Sequence, residues 1–129
     1  ELPVLLPMQI SIVDVRDVAE AHVRALTMGE DGGRYLTVAG EMMWSDISKI
    51  LKKEFPERRW PFRQLSYYFA LIVCAFHPRV SVSWAKRHLK NKLYWDATPA
   101  EKDLEMEWKS IDETLVDTIP NIINNNWDK

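Results

Sequence analysis

From Gln9 to Val15 the chain alternates, with Ile10, Ile12 and Asp14 on one side of an extended backbone and Ser11, Val13 and Val15 on the other. A period of two residues predicts a strand. The period then changes with almost no loop. Val18, Ala21, Ala25 and Leu26 keep helical spacing and predict a helix over Val18–Met28. Asp17 stands three residues before Glu20, the spacing of an N-cap and its reciprocal partner, so Asp17 is expected to accept the first-turn amides. Gly29 and the pair Gly32-Gly33 close this helix, and Arg34–Ala39 reads as a second strand, apolar in part on both faces and closed by Gly40.

Helical patterns dominate the rest. Ser45 is expected to cap a helix with Ile47, Ile50, Leu51 and Phe55 on one stripe, which Pro56 stops. A polar link, Glu57–Pro61, leads to an apolar helix over Phe62–Phe76, ended by His77-Pro78. A short basic helix follows over Ser83–Lys90, then a short strand over Lys92–Trp95. Thr98-Pro-Ala-Glu101 combines an N-cap, a proline at the first helical position and a capping-box glutamate. Ser110-Ile-Asp-Glu113 repeats the box ahead of a helix with Ile111, Leu115, Ile119 and Ile122 on one face. Pro120 is expected to kink or split that helix, because it removes an amide donor and clashes with the preceding turn. Asn124–Lys129 is expected to fray, and Glu1–Met8 reads as an extended lead-in. The pattern gives an α/β class, mostly helical with two or three short strands, in a single domain over 1–129.

Composition narrows the function classes. The chain has 129 residues, 47% of them hydrophobic and 28% charged, with a net charge of -2. That balance is ordinary for a globular protein and provides no global field to recruit nucleic acid or anionic lipid. The lone Cys74 sits in an apolar run, reads as a small buried hydrophobe, and favours a reducing, cytoplasmic setting. Glu1–Met8 lacks the basic start of a signal peptide. As a helix, Tyr67–Phe76 would span about 15 Å, half of the ~30 Å hydrocarbon core, so no membrane partner is expected.

Five segments then carry a resemblance. They are Val13-Asp-Val-Arg-Asp-Val-Ala-Glu-Ala-His22 with Gly33-Arg-Tyr-Leu-Thr-Val-Ala-Gly40, Trp44-Ser-Asp-Ile47, Trp95-Asp-Ala-Thr-Pro-Ala-Glu-Lys-Asp-Leu104, and Glu107-Trp-Lys-Ser-Ile-Asp-Glu-Thr-Leu115. In this order they resemble the C-terminal, substrate-side part of the extended short-chain dehydrogenase/reductases, in the NAD(P)-dependent epimerase/dehydratase group with a dihydroflavonol-reductase-like or cinnamoyl-CoA-reductase-like flavour. Glu105 replaces the glycine usual after the late leucine, so that helix end must be capped otherwise. The resemblance implies an extended Rossmann-type reductase whose nucleotide-binding half is missing here. It also implies NAD(P) for the intact parent, a small apolar or aromatic carbonyl substrate, strand one in the substrate subdomain, and strand two at the edge of the Rossmann sheet.

The family's chemistry is absent from these residues. Gly29, Gly32 and Gly33 follow a helix, whereas a phosphate-cradling turn links a strand to one. The family's catalytic tyrosine has a lysine four residues on, which eases proton exchange with a carbinol. Here Tyr35 is followed by Ala39, Tyr67 by Leu71, Tyr68 by Ile72 and Tyr94 by Thr98. No catalytic and no cofactor-binding residue is therefore assigned. His22, His77 and His88 lack ligand spacing with a carboxylate, so no metal site is assigned either.

The remaining candidates favour structural tasks. Asp14, Arg16 and Asp17 read as a cap plus an ion pair, and His22 as a packing or hydrogen-bonding group. Phe62, Tyr67, Tyr68, Phe69 and Phe76 read as core before pocket wall. Trp84–Lys92 reads as a solvated basic face, since nucleic-acid binding needs a wider positive surface. The expected function is the substrate-side portion of a reductase or epimerase, inactive alone. The alternatives are a stand-alone association module, pairing through exposed strand edges as a homo-oligomer, and a helical nucleic-acid binder using Lys86–Lys92.

Overall fold

A computed structural model describes residues 4–77, 80–89 and 91–125. Element order is β1 (Gln9–Ile12), α1 (Val15–Met28), β2 (Gly40–Met43), α2 (Trp44–Glu54), α3 (Tyr67–Ala75), α4 (Val82–His88), α5 (Thr98–Asp103) and α6 (Ile111–Asn124). β1 and β2 form a two-stranded sheet. The flanking bonds, Ala39 N–H to Ile12 O at 2.9 Å and Trp44 N–H to Met8 O at 3.2 Å, run in opposite order along the two strands, so the pair is antiparallel. The chain is thus mostly helical α/β. It divides into two compact units, the first comprising Glu1–Ile10 with Met42–Leu93, the second Ser11–Glu41 with Tyr94–Lys129.

In the second unit, Ala21, Ala100, Leu104 and Met106 are buried together, with Ala25, Tyr35 and Trp108 packed against them. α1 starts at Val15, three residues before the predicted start, and its N-cap is Asp14. The Asp14 carboxylate accepts from Arg16 N–H at 2.8 Å. Asp17 is therefore not the cap. It lies in the first turn, 1% exposed, and accepts from Lys109 N–H at 2.7 Å and Lys109 Nζ at 3.3 Å. Leu26 is 86% exposed and leaves the predicted apolar stripe. Residues 34–39 form no ladder, and the strand predicted there lies at Gly40–Met43. Alternation marks an extended segment, but a strand also needs a hydrogen-bonding partner.

The short strand predicted over Lys92–Trp95 is also missing. Its Trp95 N–H donates to the Glu41 carboxylate at 3.0 Å, a side chain in place of a ladder. Thr98 does not cap α5. Ala97 holds the cap position, and the Asp96 carboxylate accepts from Thr98 N–H at 3.0 Å; the Thr98 side chain first, and this amide second, lower the Asp96 pKa. Glu105 takes φ of 51° and makes the left-handed turn out of α5 that a glycine would make without strain. The Arg24 guanidinium donates to the carbonyls of Leu104, at 3.1 Å, and of Glu105. Ser110 caps α6 as its motif predicts, accepting from Glu113 N–H at 3.2 Å. α6 passes through Pro120 without being split.

The first unit has its own buried cluster of Ala70, Cys74, Ala85 and Leu89, with Leu6, Met8, Leu65, Tyr67, Leu71 and Val80 against it. α2 begins at Trp44, and Met43, not Ser45, holds the cap position with no side-chain bond. The buried Ser48 hydroxyl bonds the Pro61 carbonyl instead. α3 is shorter than predicted. Leu5 bridges Gln64, with bonds to Arg63 O at 2.8 Å and from Leu65 N–H at 2.9 Å, so residues 62–65 run extended and Ser66 becomes the cap. α4 is capped by Ser81. The Lys90 end of the predicted basic helix, residues 1–3 of the lead-in and the 126–129 tail expected to fray lie outside the described residues.

Candidate functional site

Among the described residues the second unit holds two polar constellations and a cavity. At the entry to α1, Asp14 binds Arg16 through three bonds: one from the Arg16 amide, one from Nε at 2.9 Å and one from Nη2 at 2.6 Å. Arg16 Nη2 also reaches Asp117 of α6 at 2.7 Å. The hydrogen bonds from Arg16 hold the buried Asp14 carboxyl down at about 2, against an ordinary 3.8. The same carboxylate, with Asp117 second, raises the Arg16 pKa further. One turn on, Asp17 ties α1 to the segment before α6 through Lys109. Asp14 and Arg16 meet as the sequence implies. The Lys109 and Asp117 partners were not legible, because they lie 92 and 101 residues away.

The cavity is lined by Ala21, His22, Ala25, Tyr35, Thr37 and Leu104 and holds about 140 Å³. A cavity of ~150 Å³ accommodates a single benzene ring, which sets the scale. Ala21, Ala25 and Leu104 make its apolar part. His22 Nδ1 lies 2.8 Å from the Val18 carbonyl. A carbonyl only accepts, so Nδ1 donates. The Tyr35 hydroxyl accepts from Glu30 N–H at 2.9 Å and keeps its own proton to donate. Helical spacing brings Ala21, His22 and Ala25 together. Tyr35 and Thr37 came from a segment read as a strand, and alternation does place them on one side of it.

The other candidates lie elsewhere. His88 bonds the Trp84 carbonyl at 2.9 Å and stacks on the Trp84 ring, with centroids 4.5 Å apart. Cys74 is buried. Among the described residues no three His, Cys, Asp or Glu side chains cluster as metal ligands. The aromatic group expected in the core is mostly outside it. Tyr67 packs against the cluster, but Phe62, Tyr68, Phe69 and Phe76 are 54–86% exposed. A helix apolar on every side can bury only the side that has a neighbour, and α3 buries Ala70 and Cys74 against Ala85 and Leu89.

Neither strand-to-helix turn among the described residues offers a cradle for a dinucleotide's phosphates. At the β1–α1 turn the Asp14 carboxylate already occupies the first-turn amide where a phosphate would sit, and its charge would repel one. At the other turn β2 joins α2 directly, with no glycine loop. The cavity is also below the few hundred Å³ of an ordinary ligand pocket.

Comparison with known proteins sets this geometry in context. No family model matches the chain. Over 53 residues it is 47% identical to an uncharacterized oxidoreductase of Schizosaccharomyces pombe, C513.07, covering 40% of this chain and 16% of that one. The crystal structure of gox2253 superposes with a TM-score of 0.76 at 20% identity, over 96% of this chain and 40% of that one. A reductase structure engineered to attenuate substrate inhibition in asymmetric catalysis superposes at 0.60 and 20% identity, over 92% of this chain and 31% of that one. The fold is oxidoreductase-like. The matches span well under half the length of each of these three proteins. Among the described residues no helix is long and apolar enough to cross a membrane.

Proposed function

We propose that this chain is the C-terminal, substrate-side portion of an NAD(P)-dependent reductase or epimerase of the extended short-chain dehydrogenase/reductase group, and that alone it transfers no hydride. One observation carries the reading: 96% of the chain superposes on only 40% of the gox2253 chain. The sequence match to an oxidoreductase and the lack of a phosphate cradle at the two described strand-to-helix turns support it. In this reading the partner is a nucleotide-binding half that supplies the glycine-rich turn and the Tyr-x-x-x-Lys pair. The cavity beside His22 and Tyr35 gives the substrate side, with apolar walls and hydrogen-bonding side chains suited to one ring of a small carbonyl compound.

Titration with NADPH tests this directly. The expected result is no binding in the micromolar range by calorimetry, with reductase activity appearing only when a nucleotide-binding half is supplied. Micromolar NADPH affinity in the chain by itself overturns the reading.

A second reading, a non-catalytic association module, draws on the sheet. With two strands, each keeps one edge without a ladder partner among the described residues, and such edges favour pairing between chains. A defined oligomer in light scattering that persists when a nucleotide-binding half is added favours this second reading.

A further inference from the structure

We propose that the first unit docks on an anionic phospholipid surface through the bare face of α3. From Tyr67 to Phe76 the sequence has no charged residue. Ala70 and Cys74 are buried against α4, with Tyr67 and Leu71 half-buried beside them. The opposite side is bare: Tyr68 is 76% exposed, Phe69 54%, Ile72 54%, Val73 41% and Phe76 86%. Positions 68, 72 and 76 form one row along the helix and 69 and 73 the row next to it, so these side chains make one continuous stripe. Contiguous exposed apolar surface of this kind marks an interaction site.

Charge selects the occupant. The first unit has eleven Lys and Arg against four Asp and Glu, a net of +7, while the second has six against fifteen. The overall charge of -2 conceals this division. α4, which packs on α3, carries Lys86 and Arg87 in its last turn, so cations lie on the element beside the bare face. An apolar helix face entering the boundary between head groups and acyl chains, with flanking cations on lipid phosphates, is the arrangement of an interfacial helix. α3 has nine residues, about 13 Å of helix, so it lies on a bilayer and does not cross it.

Other occupants fit less well. A second copy on this face would bring together two units each of net +7. A nucleic acid would need cations among the docking residues, yet the stripe has none, and Ile72 and Val73 offer no ring to stack on. The inference requires that the nucleotide-binding half of the reductase reading leave this face bare, and vesicle binding that is lost when that half is added overturns it.

The test is sedimentation of the full chain with vesicles of phosphatidylcholine alone and of phosphatidylcholine mixed with phosphatidylserine. The chain is expected to pellet with the mixed vesicles and to release as salt rises. Replacing Phe69→Ser with Ile72→Ser is expected to weaken this binding about tenfold or more, with an unchanged far-ultraviolet dichroism spectrum. Tyr68→Ser with Phe76→Ser serves where the first pair disturbs folding. Lys86→Glu with Arg87→Glu is expected to weaken binding to the mixed vesicles as well. Absence of binding, or equal binding by the serine variants, overturns the proposal. So does a dimer in light scattering that those variants convert to monomer, which would give the face to a second copy. None of these outcomes bears on NADPH affinity.

Discussion

Two aspartates three residues apart have different tasks. Asp14 caps α1 and holds Arg16, while Asp17 turns away from its own helix to bind Lys109. Sequence spacing made Asp17 look like the cap, because Glu20 stands three residues on. The alternation that placed Asp14 in a strand hid its role, since the last extended residue before a helix is itself the cap position. Asp17→Ala leaves the Lys109 amide and ammonium without their buried acceptor. It is expected to cost about 2–4 kcal/mol in urea unfolding, and Asp17→Asn less, because its amide oxygen still accepts from the Lys109 amide. Asp14 sets an acid limit. Its carboxyl binds a proton more weakly folded, at about 2, than at the ordinary 3.8 of an unfolded chain, so protonation favours unfolding. The stability it adds is complete above pH 3.8 and is lost as pH falls toward 2. Asp14→Asn is expected to flatten that part of a stability-against-pH curve measured by circular dichroism.

At the scale of elements, every helix read from the sequence exists, and the errors sit at the ends and in the strands. Ser110 was legible because a cap and its first turn are local. Ser45 and Thr98 were read as caps, but each lies inside its helix, since competing partners such as Asp96 set the true start. The bridge from Leu5 to Gln64 shortened α3, and no local pattern announces a partner 59 residues away. The end of α5 carries a residue in a conformation that suits glycine. Because the Glu105 side chain is exposed and Arg24 bonds its carbonyl, Glu105→Gly is expected to relieve the left-handed strain and raise stability by about 1 kcal/mol. A thermal melt reads this as a higher Tm, and a lower one would show that the glutamate side chain contributes more than its backbone costs.

At the scale of the whole molecule, chain order and spatial grouping differ. Each unit is built from two separate stretches, and the division falls inside both β1 and β2. The resemblance to a reductase was legible from short segments in order, and an oxidoreductase-like fold agrees with it. The cavity was not foreseen, because its lining comes from α1, the segment before β2, and α5 with its end at Leu104. Charge is also partitioned by unit. The net charge of -2 and pI of about 5.9 imply that the chain passes through a cation exchanger at pH 7. The cluster of cations in the first unit predicts retention on a sulfonate resin at low ionic strength and release as salt screens it. Flow-through at low salt would refute that prediction.

The sequence by itself determined which segments are helical, the Ser110 cap, the half-buried stripes of α2 and α6, and the likeness to a reductase. All of these rest on interactions within a few residues or on wording shared with relatives. Tertiary structure decided which aspartate caps α1, where the second strand lies, which aromatic rings are bare, and how charge divides between the units. Those outcomes depend on partners tens of residues away, and a side chain's surroundings are set by what folds against it.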